Sequence, residues 1–197
     1  MTIDPQVQRS VDIALAGFSG DVATAESGLT SDDAHVRASA IYALHRLKAL
    51  TAKQLQDALA DPDQVVRLAA SELAADYPEV DLLEVLSDDE FLVVEMAAWA
   101  CGERESNSDA ILFKLMEVGS DHQHQLAREA AIAALGAIGD ERGLPEILKG
   151  CRDKPAIRRR AVLALAPFDG EEVEAAIDRA LSDKDWQVRQ SAEDLRR

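Results

Sequence analysis

A helical stripe that recurs seven times at a near-constant interval predicts an all-α, right-handed α-solenoid, an α–α superhelix of about six helical hairpins plus a leading single helix. Two further observations point the same way. Apolar residues make up 47% of the chain but aromatics only 4%, which suits thin layers of small side chains between close helices. Gly, Pro, Asp and Ser gather at the joints between stripes. The repeat is plainest in Gln125 to Asp140, QLAREAAIAALGAIGD. With Arg128 as position zero, an apolar residue precedes it and Ala131, Ala134 and Leu135 follow at +3, +6 and +7, the buried stripe of one helix. The template matches again around Gln8, Arg37, Arg67, Glu95, Arg158 and Arg189, at intervals of 29, 30, 28, 33, 30 and 31 residues. All 197 residues are therefore read as one repeat domain.

Taken in order, Asp4 and Pro5 open the first helix, Val7, Val11, Ala14 and Leu15 form its inward stripe, and Gly17 and Gly20 break it. Shorter helical segments stand between the stripes, over Asp21 to Leu29, Thr51 to Ala60, Glu79 to Leu86, Ser108 to Val118, Glu141 to Lys149 and Glu171 to Leu181, so each repeat is a hairpin. The joints Ser31-Asp32-Asp33, Asp61-Pro62-Asp63, Ser87-Asp88-Asp89, Asp153-Lys154-Pro155 and Ser182-Asp183-Lys184-Asp185 lead into the second helices, where Asp or Ser caps free backbone N–H groups. Gly102, Gly136, Gly139 and Pro167 are read as stops for second helices. The polar residues Gln8, Arg9, Gln190, Asp194 and Arg196 leave two readings of the ends: the stack continues beyond them, or these helices cap it.

The anchor Arg follows an acid by four residues in Asp33-x-x-Val36-Arg37, Asp63-x-x-Val66-Arg67 and Asp185-x-x-Val188-Arg189. Stacking brings each Arg near the Asp of a neighbouring repeat. We therefore expect a structural ladder of charge-assisted hydrogen bonds formed by Asp33, Arg37, Asp63, Arg67, Arg128, Arg158, Asp185 and Arg189. The third repeat breaks it, because Glu95 stands at the anchor and Trp99 at +4. Either Trp99 fills a packing gap there, or the break marks a working surface.

These D-x-x-V-R-x-x-A entries, with Arg128-Glu-Ala-Ala-Ile-Ala-Ala-Leu-Gly-Ala-Ile-Gly-Asp140, resemble the HEAT-repeat family, and specifically the short HEAT-like repeats of the phycobilin (PBS) lyase type. The resemblance covers nearly the whole chain and implies an ARM/HEAT-like architecture in which second helices line a concave face. For function it implies a range: scaffolds, adaptors, enzyme subunits such as an accessory subunit of a bilin lyase or related cofactor-attachment enzyme, and DNA glycosylases.

Composition narrows that range. The net charge of -16 opposes nucleic-acid binding, and it is uneven: residues 1 to 120 hold 22 acids and 8 bases, residues 121 to 197 hold 15 and 13. Neither a membrane span nor a signal peptide is indicated, so a cytoplasmic location is expected. Cys101 and Cys151 read as buried free thiols. No glycine-rich phosphate loop, nucleophile elbow or metal-ligand quartet is present, so no catalytic residue, metal or cofactor is assigned. His122 and His124 alternate beside Asp121, which suits an exposed helix start better than a zinc site.

A helical wheel turns positions -2, +1 and +5 away from the core. Several are apolar. Tyr42, Val65, Leu68, Glu72, Leu92 and Met96 are the candidate partner-binding groove on the concave face, with His35, His45 and Glu103 on its rim. Arg159 and Arg160 form a secondary basic patch. The expected function is a non-catalytic protein–protein interaction scaffold or adaptor, whose partner is a protein or peptide, with a basic segment favoured by the acidic rim.

Overall fold

Helix starts are set by residues that accept otherwise unpaired backbone N–H groups. In the computed structural model, which describes residues 4–197, Asp4 accepts the Gln6 N–H, Pro5 occupies the first turn of α1 (Pro5–Ser19), and Gly20 ends it with φ 84°. Met1–Asp81 and Leu82–Arg197 are two compact units. The first continues with α2 (Val22–Ser27), α3 (Ala34–Arg46), α4 (Ala52–Leu59) and α5 (Gln64–Leu73). Asp33 caps α3 through the His35 and Val36 N–H groups, Thr51 and Gln54 form a capping box on α4, and Asp63 caps α5. The second unit contains α6 (Phe91–Glu103), α7 (Asp109–Asp121), α8 (Gln125–Ile138), α9 (Leu144–Gly150), α10 (Pro155–Ala164), α11 (Glu171–Leu181) and α12 (Trp186–Leu195). Each unit stacks helical hairpins in the α-solenoid manner, and no strand occurs among the described residues.

Five of the six expected first helices form. The exception is Glu79 to Leu86, which is irregular except for a 3-10 turn over Val85–Ser87. Pro78 forces Tyr77 out of helical geometry, to φ -127° and ψ 75°. The apolar residues that suggested a helix, Val80, Leu82, Val85 and Leu86, are nonetheless buried. They are buried from a chain of successive turns, so burial is achieved without a continuous helix.

Second helices meet across small residues. A Cβ added to Gly17 of α1 would lie 2.9 Å from the Ala43 Cα of α3, one on Gly102 of α6 would lie 3.0 Å from the Ala134 Cα of α8, and one on Gly136 of α8 would lie 2.6 Å from the Ala164 Cα of α10. Gly17, Gly102 and Gly136 therefore do not stop their helices, as expected from sequence; they lie inside them and set the spacing. Gly139 is the stop for α8, in the left-handed conformation.

This spacing reveals a slip of register in two helices. In α8 the buried residues are Ala127, Ala131, Ile132, Leu135 and Gly136, at -1, +3, +4, +7 and +8. The same offsets in α6 give Val93, Ala97, Ala98, Cys101 and Gly102 only if Val94, not Glu95, is position zero. In α1, Ile13, Ala16 and Gly17 take +4, +7 and +8 if Arg9 replaces Gln8. The expected α1 stripe is accordingly outside, with Val7 55% and Leu15 58% exposed. Both helices carry apolar residues on more than one face, so the pattern alone fits either register.

The arginine ladder exists, with different acids from those expected. Arg37 donates to the Ser31 and Asp32 carbonyls of its own joint and makes a bidentate pair with Asp61 of the next, at 2.8 and 2.7 Å. Arg158 repeats this with the Asp153 carbonyl and Asp183, at 2.8 and 2.7 Å. Arg128 holds the His122 carbonyl and reaches Asp153 at 3.3 Å, while Arg67 and Arg189 hold the Asp61 and Asp183 carbonyls. Asp33, Asp63 and Asp185 are not rungs: their carboxylates cap α3, α5 and α12, which leaves the acid two residues earlier to meet the arginine. Arg158 holds the Asp183 carboxyl below the ordinary carboxylate range; at Asp61 burial opposes the shift, but Arg37 and the Asp63 N–H outweigh it.

Two outcomes follow from this packing. Gly136→Ala should lower unfolding stability by about 2 kcal/mol in urea titration, because the neighbouring atom is backbone and cannot turn aside. Asp183→Asn should cost about 2 kcal/mol at pH 7 by strengthening nothing and leaving Arg158 half-paired. Because the folded Asp183 pKa is depressed, that stability is present above the ordinary value of 3.8 and is lost as pH falls through the lowered one, so the gap between variant and wild type should close in acid.

Candidate functional site

With the register settled, positions -2 and +5 of the second helices are the outward ones, +2 ranges from exposed at Val11 and Arg160 to buried at Ala69 and Ser191, and +1 is half-buried at Leu68, Glu95, Glu129 and Arg159. We call this side the open face. Its residues divide between the two units.

In the first unit α1 contributes Val7 and Val11, α3 contributes Tyr42, and α5 contributes Val65, Leu68 and Glu72. Tyr42 and Glu72 share the +5 position on packed helices, and the phenol donates to the Glu72 carboxylate. Burial first, and then this carboxylate, push the phenol pKa above its ordinary range. Tyr42 and Glu72 are exposed, whereas Val65 and Leu68 are half-buried against neighbouring side chains. His35 is exposed, and its carbonyl accepts the Ser10 hydroxyl at 3.4 Å. His45 is tied down: its Nδ1 lies 3.1 Å from the Tyr77 hydroxyl and its Nε2 3.5 Å from Asp76. At the end of α1, the Arg46 guanidinium covers the Phe18 ring at 4.2 Å.

In the second unit α6 places Leu92, Met96 and Trp99 on the open face, at -2, +2 and +5 of the corrected register. Leu92 is 44% and Trp99 43% exposed, and Met96 is half-buried. Trp99 therefore does not fill a gap; it occupies on α6 the position that Tyr42 occupies on α3. Leu126 of α8 is 40% exposed, and Ala130 and Ala133 beside it are small. Leu163 of α10 is exposed at +5, next to Arg159, half-buried at +1, and the exposed Arg160. Glu103 is exposed at the end of α6.

Glu95 and Glu129 share position +1 on the packed helices α6 and α8. Glu129 accepts the Gln125 amide at 2.8 Å. Glu95 forms no hydrogen bond or ion pair with any described residue. Burial first, and then the charge of Glu129, raise its pKa above the ordinary value of 4.5, while His124 acts weakly in the opposite sense. His124 is stacked on Phe91 with ring centroids 3.5 Å apart.

His122 and His124 serve the backbone. The Nδ1 of His122 accepts the His124 N–H at 3.0 Å, and that of His124 caps α8 through the Leu126 N–H at 3.3 Å. Cys101 is buried, and burial pushes the Cys151 thiol up to about 11, so thiolate chemistry is suppressed at neutral pH. Among the described residues no helix is long and apolar enough to cross a membrane.

Sequence reasoning placed Glu95 and Trp99 on a working surface in one of two readings of the broken repeat, and did not include Glu129 or Leu126. The available signal was Gly102, which pairs with Gly136 at +8 and corrects the register of α6 by one residue.

Residues 79–166 match the family model described as HEAT repeats. No curated protein matches the sequence. Among solved structures, a designed armadillo repeat protein in complex with the peptide (KR)4 superposes with a TM-score of 0.64 at 17% identity, covering 89% of this chain and 98% of its own. An engineered protein gives a TM-score of 0.62 at 19% identity, covering 88% and 94%. A second designed armadillo repeat protein gives 0.60 at 17% identity, covering 88% and 98%. At these identities the likeness establishes the helical-repeat fold.

The unpartnered carboxylate sets a measurable pH dependence. A carboxyl whose folded pKa is raised destabilises the fold above that pKa and ceases to do so below its unfolded value. Glu95→Gln should therefore raise the thermal midpoint at pH 7, with the advantage vanishing as the pH is taken below 4.5. An unchanged or lowered midpoint at pH 7 would show that the charge is compensated in the fold.

Proposed function

We propose that this protein is a non-catalytic scaffold that binds a partner protein or peptide segment on the open faces of its second helices. The observation that carries this reading is where the exposed apolar residues fall. Of the twelve exposed large apolar side chains among the described residues, seven stand on the open faces, mostly at -2 and +5: Val7, Val11 and Tyr42 in the first unit, Leu92, Trp99, Leu126 and Leu163 in the second. Scattered surface apolar residues are ordinary, but Leu92, Trp99 and Leu126 gathered on the packed helices α6 and α8 point to a partner.

The electrostatics favour a partner segment carrying positive charge. The chain has a net charge of -16, and an acidic surface steers basic segments toward it. A protein with the same fold holds the peptide (KR)4, which supports a peptide-sized ligand for such a face. A few aromatic and aliphatic anchors would supply most of the affinity.

Capture from native lysate with three baits tests the proposal: wild type, Val7→Arg with Val11→Arg for the first unit, and Leu92→Arg with Leu126→Arg for the second. All four residues are well exposed, so helical content and thermal midpoint should stay within the scatter of wild type. The expected result is a protein retained by wild type and lost from one variant. Identical retention by all three would overturn a role for the open faces.

A further inference from the structure

Three observations on the second unit bear on one surface. The first is apolar: Leu92 and Trp99 on α6 and Leu126 on α8 stand exposed, and the α8 positions +2 and +5 hold the small Ala130 and Ala133. The second is the pair Glu95 and Glu129 at the same position on these helices, with no ion pair between Glu95 and a Lys or Arg among the described residues. Arginines satisfy the half-buried Asp61 and Asp183, and backbone N–H groups satisfy Asp33, Asp63 and Asp185. Glu95 has no such partner. The third lies on the next packed helix, α10, where Arg159 takes the same +1 position and Arg160 the next, and neither forms an ion pair with a described residue. Position +1 thus changes sign along α6, α8 and α10, from acid to acid to base.

We propose that this face of the second unit takes an extended peptide segment in one direction, with a Lys or Arg seated between Glu95 and Glu129, an apolar side chain against Trp99, Leu92 and Leu126, and an acidic residue at Arg159 and Arg160. The inference rests on the scaffold reading and names the chemistry of the partner. Charge complementarity selects the occupant: an uncharged apolar segment leaves Glu95 desolvated and unpaired, whereas a cation relieves both burial and repulsion. Packed helices lie roughly 8–10 Å apart, and an extended chain advances about 3.3 Å per residue, so the cation and the acid should stand about four residues apart.

Trp99 reports occupancy directly. The chain has two tryptophans, and Trp186→Phe leaves Trp99 as the single emitter in the full chain. Three capped synthetic peptides are titrated against it: Leu-Lys-Thr-Val-Ser-Glu-Ser, the same peptide with norleucine in place of Lys, and the same peptide with Lys and Glu exchanged. The expected result is a saturable change in Trp99 emission with the first peptide and at least tenfold weaker binding of the other two. In the Glu95→Gln, Glu129→Gln chain, the preference for Lys over norleucine should disappear, the Lys peptide binding more weakly and the norleucine peptide at least as tightly as to the parent chain. Equal binding of all three peptides would overturn the directional charge recognition and leave the scaffold reading standing. Tighter binding of the exchanged peptide would overturn it too, as would no binding of any peptide up to millimolar concentration. Lysate capture by the Leu92→Arg, Leu126→Arg bait judges the scaffold reading independently.

Discussion

Close approach between second helices is the constraint on which the rest of this structure depends. Gly17 against Ala43, Gly102 against Ala134 and Gly136 against Ala164 bring backbone to within the reach of a single methyl group. At that distance dispersion contacts are dense and only Ala-sized residues fit the seam. The alanine-rich composition follows from this geometry. So does the placement of large side chains such as Ile132 and Leu135, which turn toward the first helices where there is room.

Where the helices approach, the joints between them must also align, and the arginine rungs achieve this. Each Arg gathers the carbonyl groups that a tight joint leaves without helical partners, and Arg37, Arg128 and Arg158 then reach the acid of the following joint within their unit. The same Asp61 and Asp183 carboxylates also accept the Asp63 and Asp185 N–H groups. One ion pair therefore joins two repeats and organises a joint. A surface ion pair contributes little by itself, but these are mostly covered and bidentate, which makes them directional.

The candidate binding surface is a by-product of the same regularity. Helices stacked at constant spacing place equal positions side by side, so a residue type repeated at one offset becomes a row in space. Tyr42 meets Glu72 because both stand at +5, and Glu95 meets Glu129 because both stand at +1. Pairs that are 30 or more residues apart in the chain become neighbours through register. A substitution of one charge in a row alters the field felt by the whole row, as Glu95 illustrates.

From the amino-acid sequence alone, the repeat period, the all-helical class, the joints with their capping acids and the rungs' arginines were all legible, because each depends on local spacing or on chemistry within one turn. Register was not, wherever a helix was apolar on more than one face. In α1 and α6 the sequence admits two alignments one residue apart, and the choice was made by Gly17 and Gly102 fitting against the neighbouring helix. The acid that meets each arginine was likewise decided in three dimensions, since Asp33, Asp63 and Asp185 were already occupied as caps. Only tertiary packing could decide between the two readings of Trp99 and leave Glu95 beside Glu129, because side-chain direction depends on how the next helix is rotated against its neighbour.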